Sequence, residues 1–117
     1  MSCNCNGNVQ RTLIRSIANN TGGTAVVLTP DVALAPLNES KVSFVIATTV
    51  PVAGMSLPAN ITLNGVDVPI YDRFGNIIYG ANLRTRFEYK GYYGTNGAGG
   101  TAHIQVVNYP IGRQCNC

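Results

Sequence analysis

The stretch ANITLNGVDVPIY, residues 59–71, decides the fold class because it holds two short alternating segments joined by Asn64-Gly65. Apolar residues recur at every second position on both sides of this dipeptide, which is the period of a β-strand with one buried face. Asn-Gly is the dipeptide best suited to a type I′ turn. The stretch therefore predicts a β-hairpin, in which Pro69 marks an edge or a bulge because proline cannot donate to a strand ladder.

The two-residue period continues outward from this hairpin, and no window of eleven or more residues shows the spacing of an amphipathic helix. Residues 41–50 form the most apolar segment, and we expect them to run as a strand through the centre of the core. Residues 9–18 have two faces of mixed polarity, which predicts an edge strand or a strand that contacts another subunit.

Turn signals every eight to twelve residues divide the chain into about eight such segments, a spacing typical of two packed antiparallel sheets. The 117 residues suffice for one domain with its own core. The sequence therefore predicts an all-β, single-domain antiparallel β-sandwich or jelly roll over residues 9–110. Residues 1–8 and 111–117 are then terminal arms.

All four cysteines lie in those arms, in two Cys-Asn-Cys clips formed by Cys3, Cys5, Cys115 and Cys117. In an extended segment the two cysteines of a clip point to the same side with Cα atoms about 6.5 Å apart, near the upper limit for bonding to each other. The clips can cross-link subunits, close one chain on itself, hold a zinc ion or stay free. Cross-links between subunits are the favoured interpretation, because zinc ligands usually lie two to four residues apart.

Charged residues make up only 11% of the chain, against about 25% in an average globular protein. A surface with so little charge suits packing against copies of the same chain, although a soluble β-domain with a neutral polar coat has the same composition. The net charge of +3 is small and spread along the chain, which argues against a nucleic-acid-binding surface.

No apolar run approaches the roughly 18 residues of a membrane-spanning helix, and the first residues lack a signal-peptide pattern. We therefore expect synthesis in the cytoplasm. Because cytosolic thiols stay reduced, cross-linking by cysteine predicts a final location in a virion or on the exterior of a cell or spore.

Residues 83–94 contain the candidate partner contacts. Leu83, Thr85, Phe87 and Tyr89 alternate with four charged residues, which predicts an amphipathic strand over residues 83–90. The charged face would consist of Arg84, Arg86, Glu88 and Lys90. A glycine-rich loop is expected over residues 91–100, and the two tyrosines at its start, Tyr92 and Tyr93, suit a contact surface.

The sequence offers no catalytic constellation. His103 is the only histidine, it lies on the polar face of the last predicted strand, and no nucleophile motif accompanies it. The five acids are scattered, and Asp72 sits in a predicted turn where its carboxylate is expected to bond to nearby backbone. We therefore expect no enzyme activity, no catalytic residue and no cofactor, apart from the zinc alternative at the clips.

In general plan, a small β-domain with cysteines near both ends is similar to the subunits of endospore appendages, and small β-domains also recur among bacteriophage capsid auxiliary proteins. This resemblance implies a structural subunit that binds copies of itself and other virion or surface-assembly proteins. The alternatives are a monomeric carbohydrate- or protein-binding module that presents Tyr92 and Tyr93, and a zinc-stabilised domain.

Overall fold

The protein was analysed as a computed structural model, which describes residues 10–37, 39–95 and 102–107. Two short 3-10 turns, Val52–Gly54 and Gly80–Asn82, lie between strands in this part of the chain. The strands of the described residues are β1 (Gln10–Asn19), β2 (Val26–Pro30), β3 (Lys41–Ile46), β4 (Ala59–Leu63), β5 (Val66–Tyr71), β6 (Glu88–Gly94) and β7 (His103–Val106).

These strands form a closed barrel in the order β1-β2-β4-β5-β7-β6-β3, with β3 pairing back to β1. The pairs β1–β3, β2–β4 and β5–β7 are parallel, and the other four pairs are antiparallel. The predicted all-β class is confirmed. The described residues form a barrel of seven strands with mixed pairing, in place of the predicted antiparallel sandwich or jelly roll of about eight.

Strand β1 accounts for this difference. Its register against β2 shifts between Ile14 and Ser16, as at a β-bulge, which bends a strand and increases its twist. Residues before the shift pair with β3, and residues from Ile14 onward pair with β2. One bent strand thus joins surfaces that would be separate sheets in a sandwich. Of the two alternatives predicted for β1, the edge strand was wrong, because β1 pairs with both β2 and β3; contact with another subunit stays a prediction.

The β4–β5 hairpin forms as predicted. Asn64 and Gly65 have φ values of 53° and 77°, the positive values that a type I′ turn requires. Pro69 lies opposite Asn60 of β4, just before the residues of β5 that pair with β7. β5 is therefore not an edge strand: it pairs with β4 as far as Pro69 and with β7 from Ile70 onward, so its proline does not face β7.

The barrel is filled by apolar side chains. Val42, Phe44 and Ile46 of β3 are almost completely buried, which confirms the central position predicted for this segment, although the strand ends at Ile46. Phe44 stacks on Tyr89 of β6 with ring centroids 5.4 Å apart. Among the described residues, every buried side-chain nitrogen and oxygen has a hydrogen-bond partner. The described core is thus apolar, and its buried polar side-chain atoms are hydrogen-bonded.

Residues 83–94 fold differently from the prediction. A turn at Thr85 and Arg86 interrupts the alternation, and Arg86 adopts a left-handed φ of 66° while its N–H donates to Ile46 O at 2.7 Å. β6 begins only at Glu88 and continues through Gly94, so the first residues of the predicted glycine-rich loop belong to the barrel wall.

Candidate functional site

The predicted cross-linking residues, Cys3, Cys5, Cys115 and Cys117, lie outside the described residues, as do both terminal arms. Cross-linking and the zinc alternative therefore remain predictions. Within residues 10–37, 39–95 and 102–107, no group of three or more His, Cys, Asp or Glu side chains could hold a metal ion. The same residues include no helix of the length and hydrophobicity needed to cross a membrane.

An open recess of about 320 Å³ lies on the outer face of β1, β3 and β6. Leu13, Val32 and Val45 supply apolar surface, and we refer to these three side chains as the recess floor. Val32 follows β2 and is 66% exposed. Its N–H donates to Thr12 Oγ1 of β1 at 3.4 Å, which ties this part of the loop to the barrel.

Charged side chains border the recess floor, and they are Arg11, Asp31 and Glu88. Ser43, which is almost fully buried on β3, donates a short hydrogen bond from Oγ to Glu88 Oε2. Arg11 Nε lies 3.7 Å from the same carboxylate oxygen. Glu88 is thus held against the wall, and Asp31 is the second acid of the rim.

A tight turn projects from the end of β5. Ile78 N donates to Ile70 O at 3.0 Å, and Asp72 N donates to Asn76 O at 2.8 Å, so the chain reverses over residues 72–76. The Asp72 carboxylate accepts hydrogen bonds from Phe74 N at 2.8 Å and Asn76 N at 2.9 Å. These bonds, that from Asn76 above all, lower the pKa of Asp72. The predicted bonding of Asp72 to its own backbone is confirmed.

Phe74 at the tip of this turn is 74% exposed. The Arg73 guanidinium lies over its ring, 5.1 Å from the centroid, and we refer to Arg73 and Phe74 together as the knob. Gln105 Nε2 of β7 lies 3.3 Å from Arg73 O and 3.4 Å from Asp72 O, bonding the turn to the barrel wall. A large apolar ring is therefore displayed on an anchored turn, where it contributes little to the core.

The predicted contact tyrosines point in opposite directions. Tyr93 is only 7% exposed and belongs to the core, whereas Tyr92 is 43% exposed on the outer face. A module that presents both rings to one ligand does not match this arrangement. Tyr92 remains a predicted contact.

The predicted charged face is also divided. Arg84 and Arg86 are exposed in the irregular segment before β6, whereas Lys90 lies on β6 beside Ser43. Only Glu88 and Lys90 of the four predicted charges share the outer face of a strand. Whether any of these cations contacts a partner stays a prediction.

Tyr89 explains the path of this segment. Its hydroxyl accepts a hydrogen bond from Arg84 N at 2.8 Å and donates one to Asn82 O at 3.3 Å. Burial raises the pKa of Tyr89, although the bond from Arg84 opposes the shift. The buried, neutral phenol thus fixes the backbone that precedes β6.

His103 is partly exposed at the start of β7, with its ring 5.7 Å from that of Tyr71. It lies on the outer surface of the barrel, as its predicted polar face implied.

Comparison with protein-family models, with curated proteins and with solved structures gives no match. Function must therefore be argued from the residues of this chain.

The sequence prediction missed both the recess floor and the knob. Val32 lies between Pro30 and Pro36, in a segment whose sequence predicts an irregular connection between strands. Phe74 lies in a turn that was predicted from its polar residues and glycine, with no role assigned to the aromatic ring. An aromatic residue at the tip of a polar turn was the available signal, because such a residue cannot reach the core from that position.

Proposed function

We propose that this protein is a non-enzymatic structural subunit that assembles with copies of itself, as a virion component or as a filament on the exterior of a cell or spore. Terminal cysteines cross-link neighbouring subunits in the assembly. Other virion or surface-assembly proteins are further partners. The clips join subunits, and the barrel gives each subunit its shape and the surfaces that pack against its neighbours.

The observation that carries the proposal is that the described residues build a closed barrel with an apolar core, whereas all four cysteines lie at the ends of the sequence. The described core consists of apolar side chains without a cysteine, and strand pairing closes the barrel. Disulfides usually compensate for a core too small to be stable alone. Because this barrel has an apolar core of its own, thiols at the sequence termini are better explained by bonds to neighbours.

The surface of the barrel supports the same assignment. Large apolar side chains are exposed around it, among them Val32, Leu37, Val52 and Phe74, each more than 60% exposed. Single exposed apolar residues are ordinary, but here they accompany a charge content of 11%. Little electrostatic repulsion then opposes the approach of identical subunits.

The test is oxidation of purified, reduced protein, in which each disulfide forms as two thiols lose two protons and two electrons to molecular oxygen. We expect non-reducing electrophoresis to show multiples of 12.4 kDa that collapse to monomer with reductant. A variant with all four cysteines replaced by serine is the control and should stay monomeric in denaturant. Wild-type protein that oxidises only to monomer would contradict cross-linking.

Two half-variants identify which clips join. Cys3→Ser/Cys5→Ser keeps the C-terminal clip, and Cys115→Ser/Cys117→Ser keeps the N-terminal clip. If unlike clips join, neither variant alone forms the ladder, and an oxidised mixture yields mixed dimers, recognisable by a mass tag on one partner. Disulfide-linked dimers formed by each variant alone would instead show that like clips join.

A further inference from the structure

We infer that the knob of one subunit inserts into the recess of the next, so that Phe74 packs against the floor formed by Leu13, Val32 and Val45. This inference rests on the proposed self-assembly and names the non-covalent contact that would align subunits before cross-linking. The occupant of the recess is thus a second copy of this chain.

The size and polarity of the two surfaces match. The recess has a volume of about 320 Å³, and an apolar cavity of about 150 Å³ is enough to bind benzene. Its floor is aliphatic, which suits an aromatic ring. Burial of a phenylalanine side chain is favourable by about 1.5–3 kcal/mol, and Phe74 is 74% exposed in the isolated subunit.

Charge also matches. Asp31 and Glu88 stand on the recess rim with Arg11, which gives the rim one excess negative charge. On the knob, the Arg73 guanidinium lies over the Phe74 ring, and the Asp72 carboxylate accepts hydrogen bonds from the backbone of the same turn. Insertion of Phe74 would bring Arg73 towards Asp31, the acid that is not held by Ser43.

The knob is held in place before any contact is made. Hydrogen bonds from Phe74 N and Asn76 N to Asp72 and from Gln105 to the turn carbonyls restrain residues 72–76. A restrained loop loses less conformational entropy on binding than a free one. The knob therefore resembles a preformed anchor residue of a protein interface.

The order of the strands sets the geometry of the assembly. β5, which carries the knob, is three strands from β1 in one direction and three strands from β3 in the other. The recess lies across β1 and β3, so the two surfaces are on opposite sides of the barrel. A contact between unlike surfaces does not close as a two-fold dimer but continues from subunit to subunit, as a ring or as an open filament. The contact therefore favours a filament over a closed dimer.

The decisive experiment uses the variant with four serines, so that no disulfide contributes, and measures association by sedimentation velocity at increasing concentration. We expect reversible oligomers longer than dimers. Phe74→Ser should weaken association by about 30-fold or more, the loss that defines an interface hot spot. Val52→Ser is the matched control, because Val52 is 83% exposed but lies on neither surface, and it should associate like the parent.

Mixing distinguishes this contact from a symmetric one. Val32→Arg blocks the recess but keeps the knob, whereas Phe74→Ser removes the knob but keeps the recess. Each variant alone should be monomeric, and an equimolar mixture should form dimers and nothing longer. Oligomers formed by Phe74→Ser alone as readily as by the parent would overturn the inference.

A charge exchange tests the orientation. Arg73→Glu should weaken association, and addition of Asp31→Lys in the same chain should restore part of it, with both effects reduced by salt. If the double variant associates no better than Arg73→Glu alone, Arg73 does not meet Asp31. All these substitutions are at exposed positions, so thermal melting should confirm that each variant is folded.

The two proposals fail separately. If the oxidised wild type forms a ladder while the four-serine protein remains monomeric up to millimolar concentration, cross-linking stands and knob insertion is overturned. If the four-serine protein associates through Phe74 while oxidation yields only monomers in denaturant, knob insertion stands and cross-linking is overturned.

Discussion

The β4–β5 hairpin and residues 83–94 have similarly alternating sequences, yet only the hairpin folds as its sequence predicts. In the hairpin, two adjacent residues, Asn64 and Gly65, specify the turn because their φ angles are both positive. In residues 83–94 the start of the strand depends on a contact with a distant residue. Arg86 N donates a hydrogen bond to Ile46 O, and β6 begins only after this turn, at Glu88. Strand limits in this barrel are thus set locally only where a turn demands particular residues.

The largest effect expected from this comparison is that of Gly91→Ala. A Cβ atom at Gly91 would lie 2.4 Å from the backbone oxygen of Gln105, so β6 and β7 would have to separate. We expect a loss of about 3 kcal/mol in the free energy of unfolding, the upper part of the range for overpacking. Urea unfolding monitored by tyrosine fluorescence measures it.

Gly94→Ala is the matched control on the same strand. The three atoms nearest to a Cβ at Gly94 all belong to the His103 side chain, the first at 3.0 Å, so the contact is with a side chain and not with the backbone of β7. We expect Gly94→Ala to lower the free energy of unfolding by less than about 1 kcal/mol. Equal losses for the two variants would show that close approach of β6 to β7 is not what requires glycine at position 91.

Tyr89→Phe should have the next largest effect. It keeps the ring packing on Phe44 but removes the hydroxyl that bonds Arg84 N and Asn82 O. Loss of these bonds should lower the free energy of unfolding by about 1–2 kcal/mol. Tyr92→Phe, at a 43% exposed position, is the control and should lower the free energy of unfolding much less than Tyr89→Phe does.

The difference in free energy of unfolding between wild type and Tyr89→Phe should depend on pH, because the pKa of Tyr89 is raised in the folded protein. In the unfolded chain the phenol ionises near its ordinary pKa of 10.0, whereas the folded protein retains the proton to higher pH. The contribution of the hydroxyl is therefore fully present below pH 10 and is lost as pH rises through the folded pKa. The gap in free energy of unfolding between wild type and Tyr89→Phe should narrow as the pH rises above 10 towards the folded pKa. A gap that widened there would contradict the assigned direction.

Gly65→Ala should have the smallest effect. Nothing lies within 4 Å of a Cβ placed at this glycine, whose φ is 77°, so the cost is backbone strain alone, about 1 kcal/mol. Gly65→Asn should cost less, because asparagine tolerates the left-handed region. If both variants cost as much as Gly91→Ala, the contrast between local and distant specification fails.

The sequence predicted the all-β class, the hairpin and the position of β3 in the core, because each depends on short-range pattern. It could not predict barrel closure, which depends on a register shift after Ile14 that no glycine or proline announces. Nor could it separate Tyr92 from Tyr93, because the strand that places them on opposite faces was interpreted as a loop. The surfaces now proposed for assembly combine residues from three strands and two turns, and no spacing in the sequence relates them.

The position of β7 has a consequence for the order of events in the cell. It pairs with both β5 and β6, yet it is the last of the described strands to be synthesised. Until it emerges from the ribosome, β5 and β6 each present unpaired backbone groups, a template for aggregation. Insertion of residues 103–106 closes that gap. With β7 in place, the backbone groups of β5 and β6 that face it are paired within the barrel, so the completed chain no longer offers this template.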